Sequence, residues 1–114
     1  MSGRLTTHAL DLVLGRGAGG LKVGVRRIGP DEPWLGEVEL DDGGRAVLLE
    51  GAEFRPGVYE LNFHVGDYHR ARELVDGDAF LEDVPIRFRV ADADVHCHIP
   101  LLISLYGYST YRGG

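Results

Sequence analysis

An alternation of apolar and polar residues, with a period of two, recurs along this chain and limits the folds open to it. It occurs in LKVGVRRI (21–28), WLGEVEL (34–40), VYELNFHV (58–65) and VPIRFRV (84–90). Successive side chains of a strand point to opposite faces, so each segment predicts a strand with one face in a core and the other toward solvent. On the core faces we predict Leu21, Val23, Val25, Trp34, Val38, Leu40, Tyr59, Leu61, Phe63, Val65, Val84, Ile86, Phe88 and Val90.

Turn and helix signals separate these strands. DDGG (41–44) and RPG (55–57) predict turns. The segment GDYHRARELVDGD (66–78) predicts one amphipathic helix of two or three turns that ends before Gly77. Its apolar face is expected to carry Val65, Tyr68, Ala71, Leu74 and Val75. About eight short strands and a single helix predict an all-β fold, a β-sandwich.

Length and composition restrict the classes of protein that remain. With 114 residues the chain has room for a single domain, 1–114. The formal net charge of −6 and the lack of a basic block argue against a nucleic-acid partner. MSGRLTTHAL is too polar for a signal peptide and no later run approaches a membrane span. We therefore expect a cytoplasmic protein with no membrane partner, or one imported folded into a similar reducing compartment.

The C-terminal run differs from the earlier strands. From His96 to Tyr111, apolar and polar side chains occur on both faces, and Gly107 predicts a break between two strands. Pro100 predicts a bulge or a sheet edge nearby, because proline cannot donate to a strand ladder. A strand covered on both faces indicates a second sheet or a second subunit above it. We interpret this run as part of a sheet that contacts another subunit.

Two histidines stand one residue apart in VHCHIP (95–100). On a strand, His96 and His98 point the same way and Cys97 points the other way, where it would fill the core. The pair could bind a metal, transfer protons or lie on a solvated face. We expect no metal site, because no CxxC, HExxH or carboxylate cluster accompanies the pair. A cysteine–histidine nucleophile pair is excluded by the alternation.

Three other histidines and Arg45 are further candidates for chemistry. His64 lies on the polar face of its segment and His69 on the helix, so both are expected to be solvated surface residues. His8, in LTTHALDL, alternates with Thr6 and Leu10 on a predicted first strand. A histidine in such a position is more often structural than catalytic, and the residues alone leave both roles open.

Two long segments resemble a known family. LTTHALDLVLGRGAGGLKV (5–23) is similar to the N-terminal signature of the transthyretin-like proteins, and HCHIPLLISLYGYSTYRGG (96–114) is similar to their C-terminal signature. The intervening strands and helix follow in matching order. The closing YRGG resembles the YRGS of the 5-hydroxyisourate hydrolase branch, whereas the hormone-carrying transthyretins of vertebrates lack both this ending and the histidine–arginine–histidine set.

The resemblance implies a fold, an assembly and an activity. The fold would be two four-stranded antiparallel sheets with one short helix. Four copies would form a homotetramer, with sites between dimers lined by the first and last strands. The activity would be hydrolysis of an amide bond in the six-membered ring of 5-hydroxyisourate, a small-molecule substrate from urate catabolism, with no metal or organic cofactor.

The resemblance also carries over the family's site residues. The catalytic set would be His8, Arg45 and His98, without an assignment of base and acid to the two histidines, and His96 would support them. The substrate-binding set would be Tyr111, Arg112, Gly113 and Gly114. A small-molecule carrier without chemistry is the alternative. A relative that has lost activity is a third possibility, since Gly114 replaces the family's terminal serine.

Overall fold

In the computed structural model, which describes residues 3–29 and 34–114, nine strands form two facing sheets around one apolar core. The elements are β1 (Arg4–Asp11), β2 (Arg16–Gly17), β3 (Lys22–Arg27), β4 (Trp34–Glu39), β5 (Arg45–Glu50), β6 (Gly57–Phe63), α1 (Val65–Ala71), β7 (Val84–Val90), β8 (Cys97–Ile103) and β9 (Tyr108–Thr110). The predicted all-β sandwich with one short helix is confirmed. No helix in the described ranges is long and apolar enough to cross a bilayer.

The first sheet is built around the N-terminal strand. β8 lies on one side of β1 and β9 lies beyond β8, while β5 and the short β2 border the other side of β1. The β1/β8 pair is parallel, and the other pairs in this sheet are antiparallel. The expectation of two four-stranded antiparallel sheets therefore fails in this sheet, which has five strands, counting the two-residue β2, and one parallel pair. Because β1 and β8 come from opposite ends of the chain, no hairpin fixes their relative direction.

The second sheet has the order β4-β3-β6-β7 and is antiparallel throughout. Its inner face carries the apolar residues that the alternation predicts, among them Val23, Leu61 and Phe63, each fully buried. These side chains meet Leu5 and Ala9 from β1 in one core. Burial of a side chain of this size contributes roughly 1.5–3 kcal/mol, so the two facing sheets stabilise each other.

Trp34 is an exception to the predicted alternation. The register between β3 and β4 shifts at Val25 and Arg26, and Arg26 pairs with Trp34. Leu35 packs against the core instead, while Trp34 is half exposed and lies under the Arg26 guanidinium, 4.9 Å from the ring centroid. The prediction that Trp34 faces the core is wrong, because a one-residue shift exchanges the two faces of a strand.

The helix is shorter than its apolar pattern suggests. It ends at Ala71, and Glu73 takes a positive φ of 59° just beyond it, so Leu74 and Val75 fall outside the helix. Ala71, which was expected on the apolar face, is exposed. The two turns that form are at the lower limit of the predicted length.

Both histidines near the helix differ from their expected surface positions. His69 is only 1% exposed, because it lies four residues after the buried Val65 on the same helix face. Its burial lowers the pKa of the ring, although the charge of Asp11 acts in the opposite direction. His64 immediately precedes the helix and is half buried between the carboxylates of Glu37 and Asp83.

The C-terminal run forms two strands, as predicted. β8 ends at Ile103, and the turn that leads into β9 is closed by the Ser104 N–H, which donates to the Gly107 carbonyl at 2.9 Å. Pro100 lies within β8, next to the point where the β9 ladder stops at the Leu101–Thr110 pair. An interruption of pairing beside Pro100 agrees with the expected edge.

Candidate active site

The outer face of the first sheet gathers the candidate side chains. His8 on β1 lies opposite Arg45 on β5, and Thr6 on β1 lies opposite His98 on β8. His96 precedes β8 and reaches the same face, where its ring centroid lies 6.2 Å from that of His98. We call these five residues the histidine face. The sheet thus brings the predicted catalytic residues His8, Arg45 and His98 onto three adjacent strands.

A hydrogen bond to a rigid turn orients His8. The Nε2–H of His8 donates to the Gly43 carbonyl at 3.0 Å, because a carbonyl oxygen can only accept. Asp41 Oδ1 holds this turn by accepting from the N–H groups of Gly43 and Arg45, each at 2.9 Å. Gly44 completes it with a φ of +80°, and a side chain there would collide with the Ala9 carbonyl. In the neutral form of His8, Nδ1 is therefore the nitrogen with the free lone pair.

Arg45 follows the same turn and is exposed. A Cβ atom at Gly43 would lie 3.2 Å from its Nη1, so glycine at that position leaves room for the guanidinium. Within residues 3–29 and 34–114, no carboxylate forms an ion pair with Arg45. The guanidinium can therefore bind oxygens of a planar ligand.

His98 is held by contacts on both sides of its ring. Its Nδ1 lies 2.7 Å from Thr6 Oγ1, and Thr6 Oγ1 lies 2.7 Å from Nε2 of His96. On the other side, a Cβ atom at Gly113 would approach Cδ2 of His98 to 2.6 Å. With Nδ1 facing Thr6 and Cδ2 facing Gly113, the free edge of the ring carries Nε2. This nitrogen is the one available to a ligand.

The electrostatic environment favours a neutral His98. Burial lowers the pKa of the ring below 6.5, and the positive charges of His96, His8 and Arg45 lower it further. An imidazole that is unprotonated at neutral pH can accept a proton, as a general base must.

The C-terminal tetrapeptide runs beside His98. The Gly113 N–H donates to the His98 carbonyl at 2.9 Å in an antiparallel bridge, and Gly113 is buried. Tyr111 and Arg112 are exposed and line a cavity of about 540 Å³ together with His96 and Cys97. Gly114 is exposed. Of the four residues predicted to bind substrate, Gly113 pairs directly with the backbone of a predicted catalytic residue.

Cys97 packs against the core and points away from the histidine face, as the alternation predicts. Burial raises the pKa of its thiol, although the charge of Arg112 opposes the rise. The described part of the chain contains no group of three or more His, Cys, Asp or Glu residues arranged to hold a metal ion. A metal-free mechanism stays a prediction.

Thr6 is the residue of the histidine face that the sequence did not single out. Its alternation with His8 was visible, but the parallel pairing that sets it opposite His98 was not. A threonine two residues before a candidate histidine on a strand is a weak signal, because threonine is common in strands for packing reasons alone.

The chain was compared with known proteins. Residues 5–113 match the HIUase/Transthyretin family. A relative from Rhizobium meliloti (strain 1021), named 5-hydroxyisourate hydrolase 2, is 55% identical over 116 residues, covering 98% of this chain and 97% of the relative. The structure of Klebsiella pneumoniae 5-hydroxyisourate hydrolase superposes with a TM-score of 0.83 at 30% identity, covering 98% of this chain and 99% of that one.

A longer protein contains a similar unit. The crystal structure of (S)-allantoin synthase superposes with a TM-score of 0.91 at 35% identity; the match covers 99% of this chain but only 44% of that one. The match over nearly the whole length agrees with the two-sheet topology and the histidine face. The chain belongs to the HIUase/Transthyretin family.

Proposed function

We propose that this protein is a 5-hydroxyisourate hydrolase that opens the six-membered ring of its substrate by hydrolysing an amide bond. The observation that carries the proposal is the histidine face, where His8, Arg45 and His98 share one surface of the first sheet. The relatives from R. meliloti and K. pneumoniae bear this name and match nearly the full chain.

The reaction needs an activated water, a stabilised carbonyl oxygen and a proton for the leaving nitrogen. Imidazoles suit the first and third tasks, and a general acid or base contributes typically about 10²–10⁴-fold. Arg45 stays charged and can grip planar oxygens, so we assign it to binding the ring and stabilising the developing negative charge. Of His8 and His98, one positions or deprotonates the water and the other orients or donates a proton.

The terminal residues Tyr111–Gly114 complete the substrate site in this proposal. Their support is the backbone bridge between Gly113 and His98, which ties the end of the chain to the residue that carries a proposed catalytic imidazole. A substrate seated over His98 would meet this backbone, whose N–H and carbonyl groups can bond to the polar ring of the substrate.

We further propose that four copies of the chain assemble into a homotetramer that covers the histidine face. Apolar side chains share this face or its rim and are exposed in the single chain: Val47 is 41% exposed and Leu12 is 55% exposed. Large apolar side chains exposed in the single chain can be buried at contacts between subunits. Light scattering should give four times the mass of the 12.5 kDa chain, and a fully active monomer at micromolar concentration would contradict this assembly.

A cytoplasmic location is also proposed. The structure describes Cys97 as a free thiol, which fits a reducing compartment. Subcellular fractionation of the host cell would test the location.

Ultraviolet monitoring of freshly generated 5-hydroxyisourate tests the activity. With the protein present, the absorbance of the substrate should decay much faster than its spontaneous decay. The matched control is His64→Ala, which removes an imidazole from the other sheet and should leave the rate within about twofold. Binding without faster decay would identify a carrier, or a relative inactivated at Gly114, and would overturn the proposal.

A further inference from the structure

The hydroxyl of Thr6 joins two imidazoles on the histidine face. Thr6 Oγ1 lies 2.7 Å from His98 Nδ1 and 2.7 Å from His96 Nε2, and Thr6 is only 9% exposed. His96 is exposed and contacts His98 through this hydroxyl and through the neighbouring ring, whose centroid lies 6.2 Å away. The proposed function uses His98 but assigns nothing to Thr6.

A hydroxyl carries one proton, and this couples the protonation of the two rings. If Thr6 donates to His96 Nε2, then Thr6 must accept from His98, whose proton is on Nδ1 and whose Nε2 holds a lone pair. If Thr6 donates to His98 Nδ1, the proton of His98 is on Nε2 and His96 donates to Thr6. In the described chain these two rings are the contacts of the hydroxyl, so a third arrangement would leave a nearly buried hydroxyl proton without an acceptor.

We propose that Thr6 and His96 are positioning residues that hold His98 as the Nδ1–H tautomer and so make His98, rather than His8, the general base. The proposal rests on the function proposed above and deepens it. In this tautomer the lone pair of Nε2 lies on the free edge of the ring. There it can take a proton from the attacking water, while Nδ1–H continues to donate to Thr6.

The opposite arrangement cannot perform this step without rearrangement. With the proton on Nε2, the lone pair of His98 points at Thr6 and away from the substrate. The first arrangement already supplies the acceptor that a doubly protonated imidazolium needs at Nδ1. Proton uptake from water at Nε2 and its return to the leaving nitrogen then leave the Thr6 contact unchanged, in the manner of a base oriented by a third group.

His8 complements this assignment. Its tautomer is fixed by the Gly43 carbonyl, which accepts in every protonation state, so His8 has no switch comparable to Thr6. His98 depends on a group that can donate or accept, and a His96 ring that presents its Nε2 lone pair to Thr6 sets the direction. Protonation of His96 would force it to donate and would turn the Thr6 hydroxyl toward His98. Groups that face His98 and share in this pH dependence are His96, His8 and Arg45.

The first experiment removes the hydroxyl at constant shape. Thr6→Val should lower kcat by about tenfold or more and change the acidic limb of the pH profile, whereas Thr6→Ser should restore both within about threefold. The control is Thr7→Val. Thr7 donates to the Ile99 carbonyl at 2.7 Å on the core side, so this variant loses a buried hydroxyl without touching the histidines. It should keep the wild-type pH profile even if its stability falls.

The second experiment fixes the direction of the hydrogen bond at His96. His96→Glu accepts only and should keep kcat within about threefold, while His96→Lys donates only and should lower it about tenfold. If only the charge at position 96 mattered, the two variants would shift the pKa of the base in opposite directions. Their kcat values would then reach equal plateaus in the pH profile. Equal plateaus, or a wild-type pH profile in Thr6→Val, would overturn the proposal.

A third measurement separates this proposal from the proposed function. The ¹⁵N spectrum of histidine-labelled protein should show His98 protonated at Nδ1 at neutral pH, and Thr6→Val should shift it toward the Nε2–H form. His98 carrying its proton on Nε2 in the wild-type protein would refute the tautomer assignment. If the protein does not hydrolyse 5-hydroxyisourate, the proposed function fails, while this spectrum still decides the coupling of the two rings.

Discussion

The outer faces of the two sheets carry similar residue types in opposite electrostatic arrangements. On the second sheet, Glu60 accepts from Arg26 at 3.1 Å and from Arg87 at 2.9 Å, forming a ladder across three strands. His64 lies beside it, 3.0 Å from Asp83 and also paired with Glu37. We call this surface the charge-paired face. Its charges neutralise one another.

The histidine face lacks such compensation. His8, Arg45, His96 and His98 stand together, and none of them forms an ion pair with a carboxylate in the described residues. This occurs on a chain whose net charge is −6, so carboxylates are not scarce. Burial lowers the pKa of His98, these uncompensated groups lower it further, and Arg45 is free for a ligand. Both faces carry histidine and arginine, so residue type does not distinguish them. A cluster of such side chains without neighbouring carboxylates identifies the functional face better.

The largest expected effect comes from removing histidine or arginine side chains from each face in turn. His98→Ala and Arg45→Ala should each lower kcat/KM by at least about 10²-fold, and so should His8→Ala, because each removes an acid–base group or a charge stabiliser. His64→Ala and Arg87→Ala, on the charge-paired face, should stay within about twofold. Steady-state kinetics with circular dichroism as a folding control makes the comparison. Wild-type turnover in any of the first three variants would refute the role given to that residue.

A smaller effect is expected from the glycine that packs beside His98. Gly113→Ala places a methyl group 2.6 Å from Cδ2 of His98, so the ring or the Gly113 backbone must shift and the contact between His98 and Thr6 is disturbed. Because misplacement of a catalytic group by about an ångström can cost up to about 10²-fold, we expect kcat to fall by about tenfold or more. The matched variant is Gly114→Ala, which meets open space and should retain most of the rate. Equal rates for the two variants would show that the terminus does not position His98.

The last residue should have a more modest effect. Gly114 has no side-chain hydroxyl, whereas the YRGS signature that this terminus resembles ends in serine. If Gly114→Ser restores one neutral hydrogen bond in the transition state, worth roughly 0.5–1.5 kcal/mol, kcat/KM should hold or rise by up to about tenfold. Deletion of residues 111–114 serves as the reference, since it should remove most of the activity and leave the tetramer intact. A deletion variant as active as the wild type would make the terminus a bystander.

Much of the fold could be predicted from the sequence because period-two alternation reports a local property of the backbone. The strands of the second sheet follow from it directly, and the glycine at position 107 marks the turn between the last two strands. The failures come from events that alternation cannot register. A register shift turned Trp34 outward, and the helix packs with His69 rather than Ala71 toward the core.

The candidate site divides in the same way. His8, Arg45 and His98 were identified through motifs that resemble a family. The contact of Thr6 with His98 depends on parallel pairing between the two ends of the chain, at a separation of 92 residues. No short-range pattern encodes that register, since it is fixed by how the two sheets close on a common core. The hydroxyl bridge could therefore be found only in the folded structure.

The smallest expected effect concerns stability on the charge-paired face and its dependence on pH. Burial alone would raise the pKa of Glu60, but the hydrogen bonds and charges of Arg87 and Arg26 outweigh it and hold the pKa below the ordinary value of 4.5. A carboxylate with a lowered folded-state pKa stabilises the native state above pH 4.5, and this contribution is lost as pH falls through the lowered pKa. Glu60→Gln should therefore reduce the free energy of unfolding at pH 7 by about 1 kcal/mol and flatten its decline in acid, with kcat unchanged. Denaturant titrations at pH 7 and at pH 3 measure both effects, with the exposed Glu39→Gln on β4 as the control. A loss of activity in Glu60→Gln at unchanged stability would break the comparison, because it would give the charge-paired face a catalytic role.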